Sequence, residues 1–451
     1  MPLVIVAAAI VVLLLLIIKF KVHTFIALVI VSFLTAIALG MPVSKIVESI
    51  EGGFGDTLAS VGLIFGFGAI LGKLIADSGG AQRIAETLVG KFGQRYIQWA
   101  VVLVALILGV ALFFEVGIVL LVPIVYQMAK QVKLPLMYLG LPMATGLSVM
   151  HGFLPPHPGP TVIAAQYHAN LGMVLLYGVI IAIPTVVIAG PLFTAVARKY
   201  APGAFAMNKK AGVLATIGDA EQRDLEDTPG FGISALTALF PVILMMIATI
   251  TDLVRQAAGV DDNLAFRIVA MIGKPSTVML ISVLFAVYTM GIHRKIPMSK
   301  LMESAESSVK AVGMLLLIIG VSGSLKEVLI NGGVGDYVAD MFAGSTLSPL
   351  LLAWIIASVV RIAQGSATVA ALTTAGLVIP LVQDSDVNLA LITLATGAGS
   401  LIASHVNDTG FWIVKESFGL SVKETLATWT VLETVIAVCG LGFVLLLGLF
   451  V

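Results

Sequence analysis

Four short stretches carry most of the side chains in this sequence that could hold a polar solute or move a proton. In FFEVGIVLLVP, residues 113–123, Glu115 follows a long apolar run. A carboxylate at that depth is expensive, so it either faces a cavity, where it could carry a proton, or anchors the mouth of a hairpin. In HGFLPPHPGP, residues 151–160, His151 and His157 add donors of a type that titrates near neutral pH. Four prolines among these ten residues cannot continue a helix. A helix restarting around Gly159 and Thr161 would turn free amides and a partial positive charge toward an anion. In RIAQGSATVAALTTAGLVIP, residues 361–380, Gln364, Gly365, Ser366 and Thr368 form a polar turn before an apolar run, while Ala367, Ala370 and Ala371 suit close helix packing. The densest cluster is SHVNDTGFW, residues 404–412, with Ser404, His405, Asn407, Asp408 and Thr409; Trp412 would suit a headgroup-level loop instead. The chemistry open to these residues is the binding of a polar or anionic solute and the carrying of a proton.

The elements that must position them lie in a membrane. The chain has 451 residues, 59% hydrophobic and only 11% charged, against about 25% charged in ordinary domains. Runs such as Pro2 to Ile18, Tyr96 to Phe114, Leu171 to Val196 and Val431 to Val451 match helices crossing a ~30 Å core at ~20 residues each. About ten to fourteen membrane segments are expected. The runs do not alternate as barrel strands do, so the fold class is an all-α integral membrane protein. The first run lacks a preceding basic region and a cleavage site and reads as a retained helix. One cysteine, Cys439, excludes an internal disulfide. A net charge of zero gives no indication of a nucleic-acid partner.

The sequence is written twice. PVSKIVESIE, residues 42–51, matches PMSKLMESAE, residues 297–306; Lys73 and Gly79-Gly80 answer to Lys326 and Gly332-Gly333; ATG at 144–146 answers to ATG at 395–397, followed by His151 and His405 respectively. The order and near-constant offset indicate an internal duplication. Arg83, Lys91 and Arg95 place the loop at 77–95 in the cytoplasm by the positive-inside rule, whereas residues 331–347 hold Asp336 and Asp340 and no basic residue. Lys19 and Lys21 read as inner against Asp252, Asp261 and Asp262 as outer, and residues 45–56 as outer against His293, Arg294, Lys295 and Lys300 as inner. The halves are therefore expected to be inverted: a first transmembrane repeat at 1–197, a cytoplasmic linker at 198–230, and a second repeat at 231–451, with both chain ends outside. Inverted repeats are the architecture of secondary transporters, which bind solutes near the midplane at re-entrant hairpins and broken helices.

Rival readings are weaker. An intramembrane metal-dependent enzyme using His151, His157, His405 and Asp408 would have no H-E-x-x-H or paired-cysteine pattern, and no metal or cofactor is expected. GFGAILGKL, near Lys73, imitates a phosphate loop with the wrong spacing and Leu74 where Ser or Thr is required. A passive channel remains compatible with the sequence.

In their order and separation, F-F-E-V-G, H-G-F-L-P-P-H-P-G-P, G-S-A-T-V-A and S-H-V-N-D-T-G-F-W resemble the gluconate permease family of bacterial gluconate:proton symporters, over essentially the whole chain and closer to its gluconate branch than to its D-serine branch. The resemblance implies a multi-pass inner-membrane symporter, not an enzyme, with paired re-entrant hairpins, often homodimeric and with an elevator motion. Its partners would be gluconate or a close sugar acid such as idonate, protons and the lipid bilayer. Helix starts near Thr161 and Ser366 would hold the carboxylate, and His157, Gly159, Gln364, Gly365, Thr368, Ser404, Asn407, Asp408 and Thr409 would complete the substrate site. Glu115, His151, His405 or Asp408 would carry the proton. GVSGSLKEVL, residues 320–329, departs from the family's glycine run at Ser322, Ser324 and Leu325, which bears on the choice of sugar acid.

Overall fold

A computed structural model describes residues 2–109, 114–155, 157–207, 212–217, 224–257, 259, 263–342, 347–382 and 387–451. Phe113, Pro156, Asp261 and Asp262, used above, lie outside these residues.

The described chain is helical, and nine of its helical runs are long and apolar enough to cross a membrane. The first half comprises α1 (Pro2–Leu14), α2 (Thr24–Ala38), α3 (Val43–Asp77), α4 (Gly80–Gly109), α5 (Phe114–Gln131), α6 (Leu136–Phe153), α7 (Pro158–Gln166), α8 (Leu171–Val187) and α9 (Phe193–Tyr200). A short α10 (Val213–Ile217) lies between the halves. The second half comprises α11 (Phe231–Ala257), α12 (Leu264–Ile272), α13 (Pro275–Ala286), α14 (Met298–Asn331), α15 (Val334–Phe342), α16 (Pro349–Gln364), α17 (Ala367–Val382), α18 (Leu389–Gly399), α19 (Thr409–Phe418), α20 (Val422–Thr425) and α21 (Val431–Leu447).

The duplicated motifs begin α3 and α14, each just after a proline, Pro42 or Pro297. These two helices pack tightly and run antiparallel. At one end Ser304 donates to Asp77 at 2.8 Å; at the other Asn331 donates to Ser49 at 3.1 Å. They cross at Gly53 and Gly323, where a Cβ on either glycine would stand 2.5 Å from the other's carbonyl oxygen. Glycine is needed there for the approach of two backbones, not for its dihedral freedom.

The chain breaks at the expected places. Leu154, in extended backbone, and His157 separate α6 from α7. Gly365, at φ +71°, and Ser366 turn α16 back onto α17. Residues 400–408 separate α18 from α19. The join between α4 and α5 falls outside the described residues, but Gly109 and Phe114 bound it.

The structure adds detail to these expectations. Residues 45–56 are the start of α3 rather than a loop, and most of 77–95 is helix, bent at Gly93 (φ +67°). Helix α9 runs through position 197 to Tyr200. The stretch 198–230 is not a free tether: Leu214 and Ala215 of α10 are fully buried, and α10 packs on α3, α5, α14 and α19. Arg83 donates to Thr228 at 2.9 Å and to the carbonyls of Pro229 and Leu225, and Arg294 donates to the Asp227 carbonyl. Finally, Trp412 is fully buried and donates to the Val406 carbonyl at 2.9 Å, so it is a core residue, not an interfacial one.

Candidate functional site

The breaks converge on a cavity of about 370 Å³. From the first half come Thr57 of α3, Glu115 in the first turn of α5, and Ser148 and His151 near the end of α6. The second half supplies Lys326 of α14, Arg361 in the last turn of α16, Gly365, Ser366 and Thr368 at the hairpin turn, Asp408 and Thr409 at the start of α19, Trp429, and Glu433 of α21. A polar chamber thus sits inside an apolar helix bundle, where each exposed backbone break would otherwise go unsolvated.

Its electrostatic centre is Asp408. One oxygen, Oδ2, accepts from Arg361 Nη2 and from Ser404 Oγ; the other, Oδ1, accepts from the Gly410 amide at 3.1 Å and so caps α19. Ser404 in turn accepts from Trp429 Nε1 at 2.7 Å. Arg361 is 4% exposed, and its Nε and Nη1 find no partner among the described residues. An unpaired N–H in a dry setting is costly, so a guanidinium donor left over from the Asp408 pair is available to an anion.

Seven of the residues expected from sequence line this chamber: Glu115, His151, Gly365, Ser366, Thr368, Asp408 and Thr409. The others stand behind it. His157 is buried, with Nε2 donating to the Gly109 carbonyl at 2.5 Å and its ring 5.3 Å from that of His151. Gly159 and Thr161 lie in the first turns of α7, and Thr161 Oγ1 is buried with no partner among the described residues. Asn407 donates to the carbonyls of Ile362 and Ala363 at 2.9 and 3.2 Å, and His405 Nε2 donates to that of Ile362 at 2.9 Å. These bonds satisfy the free carbonyls at the end of α16. Gln364 is buried beside Gly335, and Ser404 serves Asp408. Of the departures from the family pattern, Ser322 shares a hydrogen bond with Thr409 at 3.1 Å, Ser324 ties α14 to the Ile50 carbonyl of α3 at 2.7 Å, and Leu325 is core.

Arg361, Lys326, Ser148, Glu433, Thr57 and Trp429 were missed. Arg361 opens the very stretch that was singled out, and Glu433 interrupts the apolar run WTVLETVIAV; a charge inside such a run was the available signal. Lys73 of the false phosphate loop lies within α3 and pairs with Asp77 at 3.0 Å. Among the described residues, no group of three or more His, Cys, Asp or Glu side chains is placed to hold a metal ion.

Comparison with known proteins agrees with this picture. Residues 1–450 match the model of a family described as GntP family permease. The chain is 61% identical to the gluconate permease of Bacillus subtilis (strain 168) and 60% identical to that of Bacillus licheniformis, each over 100% of both chains. It is 46% identical to the Gnt-II system L-idonate transporter of Escherichia coli (strain K12), over 98% of both chains.

Proposed function

Because the chain belongs to the GntP permease family, and is thus a multi-pass membrane transporter and not an enzyme, we propose that it carries gluconate into the bacterial cell across the inner membrane in symport with protons. The observation that carries this reading is Arg361, which lines the chamber where the broken helices of both halves meet and keeps Nε and Nη1 without a partner among the described residues. A gluconate carboxylate would accept from one of these free donors. Ser366, Thr368, Thr409 and Thr57 ring it with hydroxyls suited to a polyol chain, and sites that hydrogen-bond hydroxyls discriminate sharply against analogues lacking them. Arg361 takes over the carboxylate role expected of Thr161, and His157, Gly159, Gln364, Ser404, His405 and Asn407 hold the walls in place.

Moving one negative charge into a negative-inside cell costs ~2.3 kcal/mol per 100 mV, and one co-transported proton cancels that cost. Of the four expected carriers, Glu115, His151 and Asp408 border the chamber and His405 does not. The antiparallel run of α3 and α14, the starts of the two matching motifs, supports an inverted repeat and alternating access. The linker, Arg83 and Arg294 gather at one end of the bundle, which supports a cytoplasmic linker with both chain ends outside. A homodimer and an elevator motion belong to the same reading.

The test is uptake of labelled gluconate by proteoliposomes under an inward proton gradient without sodium. Accumulation that collapses with a protonophore and yields to excess gluconate but not D-serine is the expected result. Uptake that ignores the gradient or needs sodium would overturn the coupling, and stronger competition by L-idonate would reassign the sugar acid.

A further inference from the structure

Three carboxylates face the chamber, and their surroundings differ. Asp408 has the Arg361 guanidinium, the Ser404 hydroxyl and the Gly410 amide, so its charge is compensated three times over. Glu115 sits in the first turn of α5, where the unpaired amides of the helix start favour a negative charge. Glu433 has neither aid. It is in the first turn of α21, but a π-helical turn at Leu426–Thr430 runs into that helix without a break, so no free helix start is at hand. It is 1% exposed, the Ser148 hydroxyl is its hydrogen-bond neighbour, and its Oε1 has no partner among the described residues. An ionised carboxylate in that setting would be a buried charge without a cation of its own, because the nearby Arg361 is committed to Asp408.

We propose that Glu433 carries the proton that moves with the substrate; this rests on the proton symport proposed above. The helices packed against α21 bring few rival charges: α16 brings Arg361, α6 brings Tyr138 and His151, α8 brings only Tyr177, and α18 brings none. Asp408, Glu115 and Lys326 complete the ionisable groups of the chamber. The coupling is electrostatic. With Glu433 protonated, the Arg361–Asp408 pair is neutral overall and a guanidinium N–H left over from that pair donates to the anion. When the Glu433 O–H bond breaks toward the cytoplasm, the proton leaves on water and the electron pair stays on the carboxylate. The new charge shares the chamber with the bound anion and expels it. Outside, hydronium returns the proton and the site accepts the next anion.

Glu433→Gln, which copies the neutral acid, separates coupling from carrying. In proteoliposomes the variant is expected to retain exchange of labelled for unlabelled gluconate, with its pH dependence gone, and to lose accumulation driven by a proton gradient. Glu433→Asp keeps a carboxyl and is expected to accumulate gluconate with a displaced pH midpoint. A purely structural role would instead depress exchange and accumulation together. Accumulation by Glu433→Gln with the wild-type pH profile overturns the assignment. If that variant does not fold, an unshifted midpoint in Glu433→Asp overturns it in its place. Failure of the wild-type protein to accumulate gluconate under the gradient would remove the symport itself, and this assignment with it.

Discussion

Arg361, in the last turn of α16, and Asp408, at the start of α19, form a buried ion pair across the break between α18 and α19, and the guanidinium keeps Nε and Nη1 without a partner among the described residues. The pair therefore has two separable duties. It joins the second hairpin to α19, and it leaves guanidinium donors over beside the chamber that Arg361 lines.

Those duties respond differently to substitution. Asp408→Asn leaves the guanidinium uncompensated, a loss of about 3–5 kcal/mol for a broken buried pair, and should show as a lowered melting temperature in detergent. Arg361→Lys keeps the charge and loses the fork; a lost charge-assisted hydrogen bond worth about 1.5–3 kcal/mol corresponds to a KM for gluconate raised at least about 10-fold. Equal KM values for Arg361→Lys and wild type would remove Arg361 as the carboxylate ligand.

How much of this could be read from the sequence depends on which physical signal each part leaves. Helix breaks leave a strong one, since prolines and a Gly-Ser turn stand out in an apolar run, and the breaks at 154–157, 365–366 and 400–408 lie where expected. The direction in which a polar side chain points leaves almost none. Asn407 and His405 sit in the densest polar cluster, yet they turn away from the chamber to bind the carbonyls of α16. Lone charges in apolar helices were legible and overlooked: Arg361 and Glu433 sit in runs too apolar to hold them without a function. The alternative of a headgroup-level loop at Trp412 falls away, because an aromatic beside a polar cluster looks the same in sequence whether it meets lipid headgroups or, as here, donates into a buried turn.

The second hairpin turn depends on one glycine. Gly365 has φ +71°, and a Cβ there would stand 2.3 Å from the Asn407 carbonyl oxygen. Gly365→Ala should therefore cost about 1–3 kcal/mol in strain and repacking and abolish uptake. Gly159 has nothing within 4 Å of its Cβ position among the described residues, so Gly159→Ala should transport normally. A silent Gly365→Ala in the uptake assay would mean that the turn is not held as described.

His157 tests the distinction between wall and ligand. Its Nε2 closes the carbonyl of Gly109, the last residue of α4, and thereby fastens the break after α6 to the end of α4. His157→Ala removes a buried hydrogen bond and leaves that carbonyl unsatisfied, at about 1–3 kcal/mol. The melting temperature should fall while the KM for gluconate in the surviving protein stays within about 3-fold of wild type, a difference of under ~1 kcal/mol. A large rise in KM at unchanged stability would instead make His157 a ligand.

The orientation of the bundle makes a sharp prediction because two distant contacts mark its ends. Ser49 and Asn331 meet at one end, and the 225–229 stretch held by Arg83 and Arg294 lies at the other. The proposed orientation, with the second end in the cytoplasm, rests on the basic residues near 83–95 and 293–300. Cys439 is the only cysteine, so replacing it with serine gives a background for placing single thiols. Glu48→Cys, at an exposed site in the first turns of α3, should react with an impermeant maleimide added to intact cells. Glu226→Cys, exposed in the linker, should react only in inside-out vesicles. The two sites must differ in this way whatever the transport cycle does, because neither lies in the chamber. The opposite pattern would reverse the bundle in the membrane, and labelling of both from outside would dismiss the linker as a cytoplasmic segment.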